Sequence, residues 1–241
     1  MLFQLAIAIP IAYISYKVLT RKPAPKKDQD HNVITMVDDD IDMNKSILSR
    51  VVFSENGAFS RPTEIFKQIS KCDPDRPIKI ILETNGGSLV LCERIIRRLL
   101  LHPAGYIVYI RNACYSCGTL LALGAKEIVM DEGYSSLGKI DPQQPENSIH
   151  QVVIYTQIED KYIDSRNIAQ IKYAQNVINY IKELLTLIFN GRDEKIRSKV
   201  EENMLFSHLP HEKSFSFKEC EDMGLPVRRP TADEKTFFNL P

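Results

Sequence analysis

Ser116 lies in Tyr115-Ser116-Cys117-Gly118-Thr119, between the strand-forming run Tyr106–Ile110 and a stretch that reads as a helix from about Ser116 to Ala125. A hydroxyl on such a bend is presented at a helix N-terminus, where free amides and a partial positive charge stabilise an alkoxide or a tetrahedral adduct. Gly118 keeps the approach small, so an incoming carbonyl can reach the hydroxyl. The same position also suits a plain N-cap, a role serine readily takes. A second bend, Thr84-Asn85-Gly86-Gly87-Ser88, follows the apolar run Ile78–Leu82 and opens the helical pattern Leu89–Leu101. Successive glycines permit positive φ and let a substrate come close to the backbone. Amides at a bend of this kind can hold a developing oxyanion. Either bend alone is an ordinary strand-to-helix connection. Together, on parallel strands, they fall on one edge of one sheet and form a single cleft for handling an acyl group.

The five cysteines (Cys72, Cys92, Cys114, Cys117, Cys220) lack the spacing of a metal site, and Cys114-x-x-Cys117 has no second pair to complete one. A thioredoxin-like redox pair would sit in the same strand-to-helix context, so that reading competes with the serine. An odd set of free thiols suits the cytoplasm. Lys and Arg total 31, as do Asp and Glu, so no global field points to nucleic acid or an anionic substrate. No metal and no cofactor is called for.

The elements that must position these bends can be read outward from them. Ile78–Leu82 is a near-continuous apolar run, the mark of a strand buried on both faces. Strand–turn–helix then occurs twice, through Tyr106–Ile110 and on to Glu127–Met130, which predicts parallel strands and α/β layering. Downstream, Asp164–Asn190 reads as a long amphipathic helix ended by Gly191, Asp193–Glu202 as another, and Ser216–Met223 as a last short one closed by Gly224. At the other end, Leu2–Leu19 is apolar but for Lys17, close to the roughly 20 residues that cross a hydrocarbon core of about 30 Å. Basic residues follow this run (Arg21, Lys22, Lys26, Lys27), which puts the rest of the chain on the cytoplasmic side. The expected organisation is a transmembrane anchor at 1–20, a basic and polar tether at 21–32, and a hydrolase domain at 33–241 that begins with a short strand, Val33–Val37.

IILETNGGSL (Ile80–Leu89), SCGTLLALGAKEIVMDE (Ser116–Glu132), LGKIDPQ (Leu137–Gln143) and MGLPV (Met223–Val227) together resemble the serine dehydrogenase proteinase family. That family is related to signal peptide peptidase A within the ClpP/crotonase superfold. The resemblance implies an α/β spiral of β-β-α units, with Ser116 as nucleophile. It also implies an oxyanion hole from the amides of Gly87 and Cys117, with Gly86 shaping the turn. ClpP carries its histidine base where this chain has Asp141, so a Ser-His-Asp triad does not carry over. Signal peptide peptidase A and its relatives use a lysine instead, which requires desolvation in an apolar pocket. Lys172, among Ile168, Ile171 and Tyr173 on the long helix, is the preferred base, and Lys161 the alternative. His211 resembles a histidine of the family for which a structural role is favoured, whereas His102 and His150 stand in no motif. Two departures stand out: Asn85 where the family usually has proline, and Cys117 where it has glycine.

The expected function is a membrane-anchored serine protease that cleaves peptide bonds through a Ser-Lys dyad. Its expected partners are a peptide or protein substrate, the bilayer through the N-terminal helix, and further copies of itself in a homo-oligomer. The rival readings are a catalytically inactive membrane scaffold of the same fold and a thioester or acyl-CoA hydrolase.

Overall fold

A computed structural model describes residues 32–38, 62–143, 148–149, 151, 153, 168–207, 209–210 and 212–240. The expected anchor at 1–20 and all of the expected tether at 21–32 except Asn32, which is buried, lie outside the described residues. Among the described residues no helix is long and apolar enough to cross a membrane.

Strand β1 (Val33–Val37) opens the described chain, and helix α1 (Pro62–Ile69) precedes β2 (Ile78–Thr84). Helix α2 (Leu89–Leu100), β3 (Tyr106–Cys114), α3 (Cys117–Leu123) and β4 (Glu127–Met130) follow in alternation. β5 (Ser136–Gly138) comes next without an intervening helix, as a β-β-α unit requires. Beyond it lie α4 (Ile168–Ile188), α5 (Glu194–Val200), a π-helical turn at Glu201–Leu205, β6 (Ser214–Phe215), α6 (Phe217–Met223), β7 (Val227–Arg228) and α7 (Ala232–Phe238). The strands lie in the order β1-β2-β3-β4-β7, with β5 on the far end of β3 and β6 on β5. Every pairing is parallel except β5 with β6. The α/β class with a mostly parallel sheet is thus as the sequence predicts.

Alternation along the central strands separates two layers of unequal weight. Ile78, Ile80 and Leu82 of β2, Tyr106, Val108 and Ile110 of β3, and Ile128 and Met130 of β4 join the large core under the helices. Helix α2 meets that core through Cys92, Ile95, Ile96 and Leu99, the three-and-four spacing of one helical face. The opposite face carries Ile81, Tyr109 and Val129, which Phe238 of α7 covers; its ring lies 4.3 Å from that of Tyr109.

Glu234 fastens α7 in place. It accepts from Arg228 Nη1 and Nη2 (2.8 and 2.7 Å) and from Tyr109 Oη (2.9 Å), and it closes a capping box with Thr231. Its Arg228 partner, ahead of the Thr231 amide, holds the Glu234 carboxyl down at about 2, below the ordinary 4.5. A carboxylate with a depressed folded-state pKa contributes stability above its unfolded value and loses it as pH falls through the folded one. Thermal melts should therefore show the wild type losing stability between pH 4.5 and 2 more steeply than Glu234→Gln, which lacks that titration. Equal slopes for the two proteins would mean that this clasp does not act.

Candidate active site

The nucleophile bend is built by a bulge in β3. Leu82 faces Ile110 while Thr84 faces Cys114, so β3 takes extra residues through Arg111–Ala113 and turns before Tyr115. Ser116 follows at φ +51° and ψ −111°, and among the described residues Asn239 is the only other non-glycine with positive φ. Backbone held in so sparsely populated a region persists only where the surroundings over-determine it. They do so here: Ser116 N–H donates to Lys139 O (3.0 Å), Gly118 N–H to Tyr115 O (2.8 Å) and Tyr115 N–H to Thr84 O (2.9 Å). Ser116 occupies the N-cap position of α3, yet its side chain makes no capping hydrogen bond. The simple N-cap role therefore does not explain this serine, and its hydroxyl is left available on a half-buried bend.

Helix α3 is buried along its whole length and is held at both ends. Gly118 lets it sit close on β2, for a Cβ there would stand 2.5 Å from Thr84 Cγ2. Gly138 does the same for the Tyr115 ring, whose Cδ1 would lie 1.8 Å from an added Cβ. At the C-terminus Arg192 donates to the carbonyls of Leu123, Gly124 and Ala125 at 2.8–3.0 Å. That guanidinium satisfies the orphan acceptors of the last turn and complements the negative end of the helix.

The diglycine bend meets the serine directly. Gly86 has φ +116°, and a methyl on it would stand 3.0 Å from Ser116 Cβ, 3.3 Å from Tyr115 O and 3.5 Å from Ser116 Oγ. Cys117 Sγ donates to Gly87 O across the gap (3.2 Å), and Cys92 Sγ donates to Cys117 O (3.2 Å). Ser116, Cys117, Gly86 and Gly87 are thus brought together. The amides of Gly87 and Cys117 have no hydrogen-bond partner among the described residues, as an oxyanion hole requires.

A family model for ClpP-like SDH-type serine proteinases matches residues 1–238. The chain belongs to that family. Two curated relatives are similar to it, both from Methanocaldococcus jannaschii: uncharacterized protein MJ0137, 31% identical over 170 residues, and uncharacterized protein MJ1495, 24% identical over 166. Each match covers 68% of this chain, but the chain spans only 58% and 56% of the relatives' own lengths. Family membership accords with a serine proteinase in general terms.

The cysteines of this family member do not fit the redox alternative. All five are free and buried. Burial pushes the Cys114 and Cys92 thiols well above their ordinary values, the reverse of what thiol–disulfide exchange needs. Among the described residues no group of three or more His, Cys, Asp or Glu could hold a metal ion.

The surroundings of the expected lysine base differ from those the sequence suggests. Lys172 lies on α4 but is exposed, and Ile168 and Tyr173 beside it are 41% and 57% exposed. Ile171 and Ala174 turn into the core instead, because neighbours in sequence on a helix point in different directions. The apolar pocket expected around Lys172 is therefore absent among the described residues. Lys161, His150 and His211 lie outside the described residues. His102 is buried, with Nε2 2.9 Å from Arg76 O, a structural bond.

Lys139 was not singled out from the sequence, yet it is buried and bonded directly to the bend. Its carbonyl receives the Ser116 amide, while its ammonium donates to Ser207 O and Leu209 O (both 2.8 Å). Burial lowers its pKa, against an opposing pull from the Asp141 carboxylate. With the ammonium committed to those carbonyls, Lys139 anchors the strand end that holds Ser116. The only signal for it was its place in LGKIDPQ.

Proposed function

We propose that this family member hydrolyses peptide bonds by acyl transfer through Ser116, with Lys172 as base and the Gly87 and Cys117 amides as oxyanion donors. Ser116 Oγ adds to the scissile carbonyl as the lysine takes its proton. The tetrahedral oxyanion is held by the two amides, and the C–N bond breaks as the proton passes to the leaving amine. Water then adds to the acyl-serine and the carboxylate leaves, restoring the hydroxyl. The observation that carries this reading is the approach of Gly86 to Ser116, where an added methyl would be 3.0 Å from Ser116 Cβ. The desolvation that a lysine base needs must come from a bound substrate or a neighbouring copy in a homo-oligomer. Residues 1–20 anchor the protein, with the domain on the cytoplasmic side; the apolar run Leu2–Leu19 and the basic residues after it support this part of the reading.

The exposure of Lys172 favours one rival, a non-catalytic membrane scaffold of the same fold. A fluorophosphonate probe separates the two. With the full chain in detergent, the proteinase reading expects stoichiometric labelling, with the adduct mapped by mass spectrometry to Ser116. A folded sample that takes no label at any pH up to about 10 is a scaffold, since an ordinary lysine titrates near 10.4. An adduct on Cys117 would move the nucleophile to the thiol.

A further inference from the structure

We infer that Asp38, at the end of β1, is a positioning residue for the oxyanion turn, acting through the Thr84 hydroxyl and the Asn85 amide. The inference rests on Ser116 and Gly87 being the reacting site. Asp38 follows the last residue of β1, and its own amide donates to Glu83 O (2.9 Å), continuing the β1–β2 pairing to the edge of the sheet. That register sets its carboxylate beside the start of the glycine bend. Thr84 Oγ1 donates to it, lying 3.0 and 2.9 Å from the two oxygens, and Asn85 N–H donates to Oδ2 (2.8 Å). Thr84 Oγ1 in turn accepts from Gly86 N–H (3.0 Å).

The consequence appears when each amide of the bend is followed to its acceptor. Asn85 N–H goes to Asp38, and Gly86 N–H goes to Thr84. Gly87 N–H, the next along, has no partner among the described residues. Gly86 C=O shares a rigid peptide plane with Gly87 N–H and points the opposite way. Thr84 Oγ1 sits 3.3 Å from Gly86 O, so the side of the plane turned to Thr84 is the carbonyl side. The Asp38–Thr84 pair thereby selects which amide is free and which way it points, while Cys117 Sγ holds Gly87 O from the other bend. Asn85 fits the same logic. It replaces the proline usual in the family, and only a non-proline residue has the N–H that Asp38 receives.

The test uses the full chain and two readouts. The first is the rate of fluorophosphonate labelling. The second is amide exchange at Asn85 and Gly86, read by NMR on labelled protein, with melting curves run on every variant. Asp38→Ala and the near-isosteric Thr84→Val should each label roughly tenfold to hundredfold more slowly, as expected for a displaced oxyanion donor. Thr84→Ser keeps the hydroxyl and should stay within about threefold of the wild type, at a melting temperature no higher than that of Thr84→Val. A merely structural role would make labelling follow stability across the pair, whereas a positioning role makes it follow the hydroxyl. Asn85 and Gly86 exchange should quicken in Asp38→Ala. If the wild type labels and Asp38→Ala labels equally fast, the positioning role is overturned and the proteinase reading stands. If the wild type does not label, the proteinase reading fails and exchange decides the rest. Quickened exchange in Asp38→Ala then upholds the clamp, and unchanged exchange overturns it.

Discussion

Ser116→Ala is expected to lower the rate of peptide or ester hydrolysis by roughly 10⁴- to 10⁶-fold, the scale on which nucleophile removal acts in serine hydrolases. The fold should survive the change. The hydroxyl caps no helix, so its loss leaves α3 without a missing hydrogen bond. The bonds that hold the bend run through the backbone, from Ser116 N–H to Lys139 O and from Gly118 N–H to Tyr115 O, and alanine keeps both. Alanine also meets the same φ penalty as serine, so melting temperature should move little. Cys117→Ala is the natural comparison. It removes the thiol that bridges to Gly87 O but leaves the Cys117 amide, so a loss of about tenfold is expected. Rates measured on a peptide ester, with melting curves for both variants, check the assignment. The reverse ordering, a nearly active Ser116→Ala and an inactive Cys117→Ala, would make the thiol the nucleophile.

The parts of this site legible in the sequence were the local ones. An apolar run into Asn85-Gly86-Gly87 and a second run into Ser116-Cys117-Gly118 announce strand–turn–helix because each signal lies within one element and its connection. Parallel pairing then brought the bends together, and the β2–β3 register is parallel as expected. What fixes the bends in detail arrives from far along the chain. Asp38 reaches Thr84 across 46 residues, and Arg192 reaches Leu123 across 69. Neither contact has a periodic or motif signature, since each depends on tertiary register. Helix α7 was missed for a related reason. The second face of the sheet offers few large residues, so the short stretch around Phe238 that covers it gives no long amphipathic pattern. The surroundings of Lys172 were not legible from its sequence neighbours, because helix geometry turns Ile171 inward and Lys172 outward.

Gly86→Ala should be the most damaging change that leaves every reacting atom in place. Two effects combine at this residue. Its φ of +116° is one that L side chains rarely adopt, and the added methyl would meet Ser116 Cβ at 3.0 Å and the Tyr115 carbonyl at 3.3 Å. Backbone strain of this sort costs about 1–3 kcal/mol. The methyl contact, unable to relax without moving the nucleophile bend, should displace Ser116 relative to the Gly87 amide. A misplacement of about 1 Å can cost roughly 100-fold in rate, so a fall of about 10²- to 10³-fold is expected. Gly191 supplies the control, since it has φ +76° with nothing within 4 Å of an added Cβ. Gly191→Ala therefore carries the strain without the contact and should lose stability while labelling at the wild-type rate. A difference in labelling between these two variants measures the contact between the bends, independently of stability. Equal labelling rates would mean that Gly86 and Ser116 do not act on the same substrate, and the shared cleft would have to be abandoned.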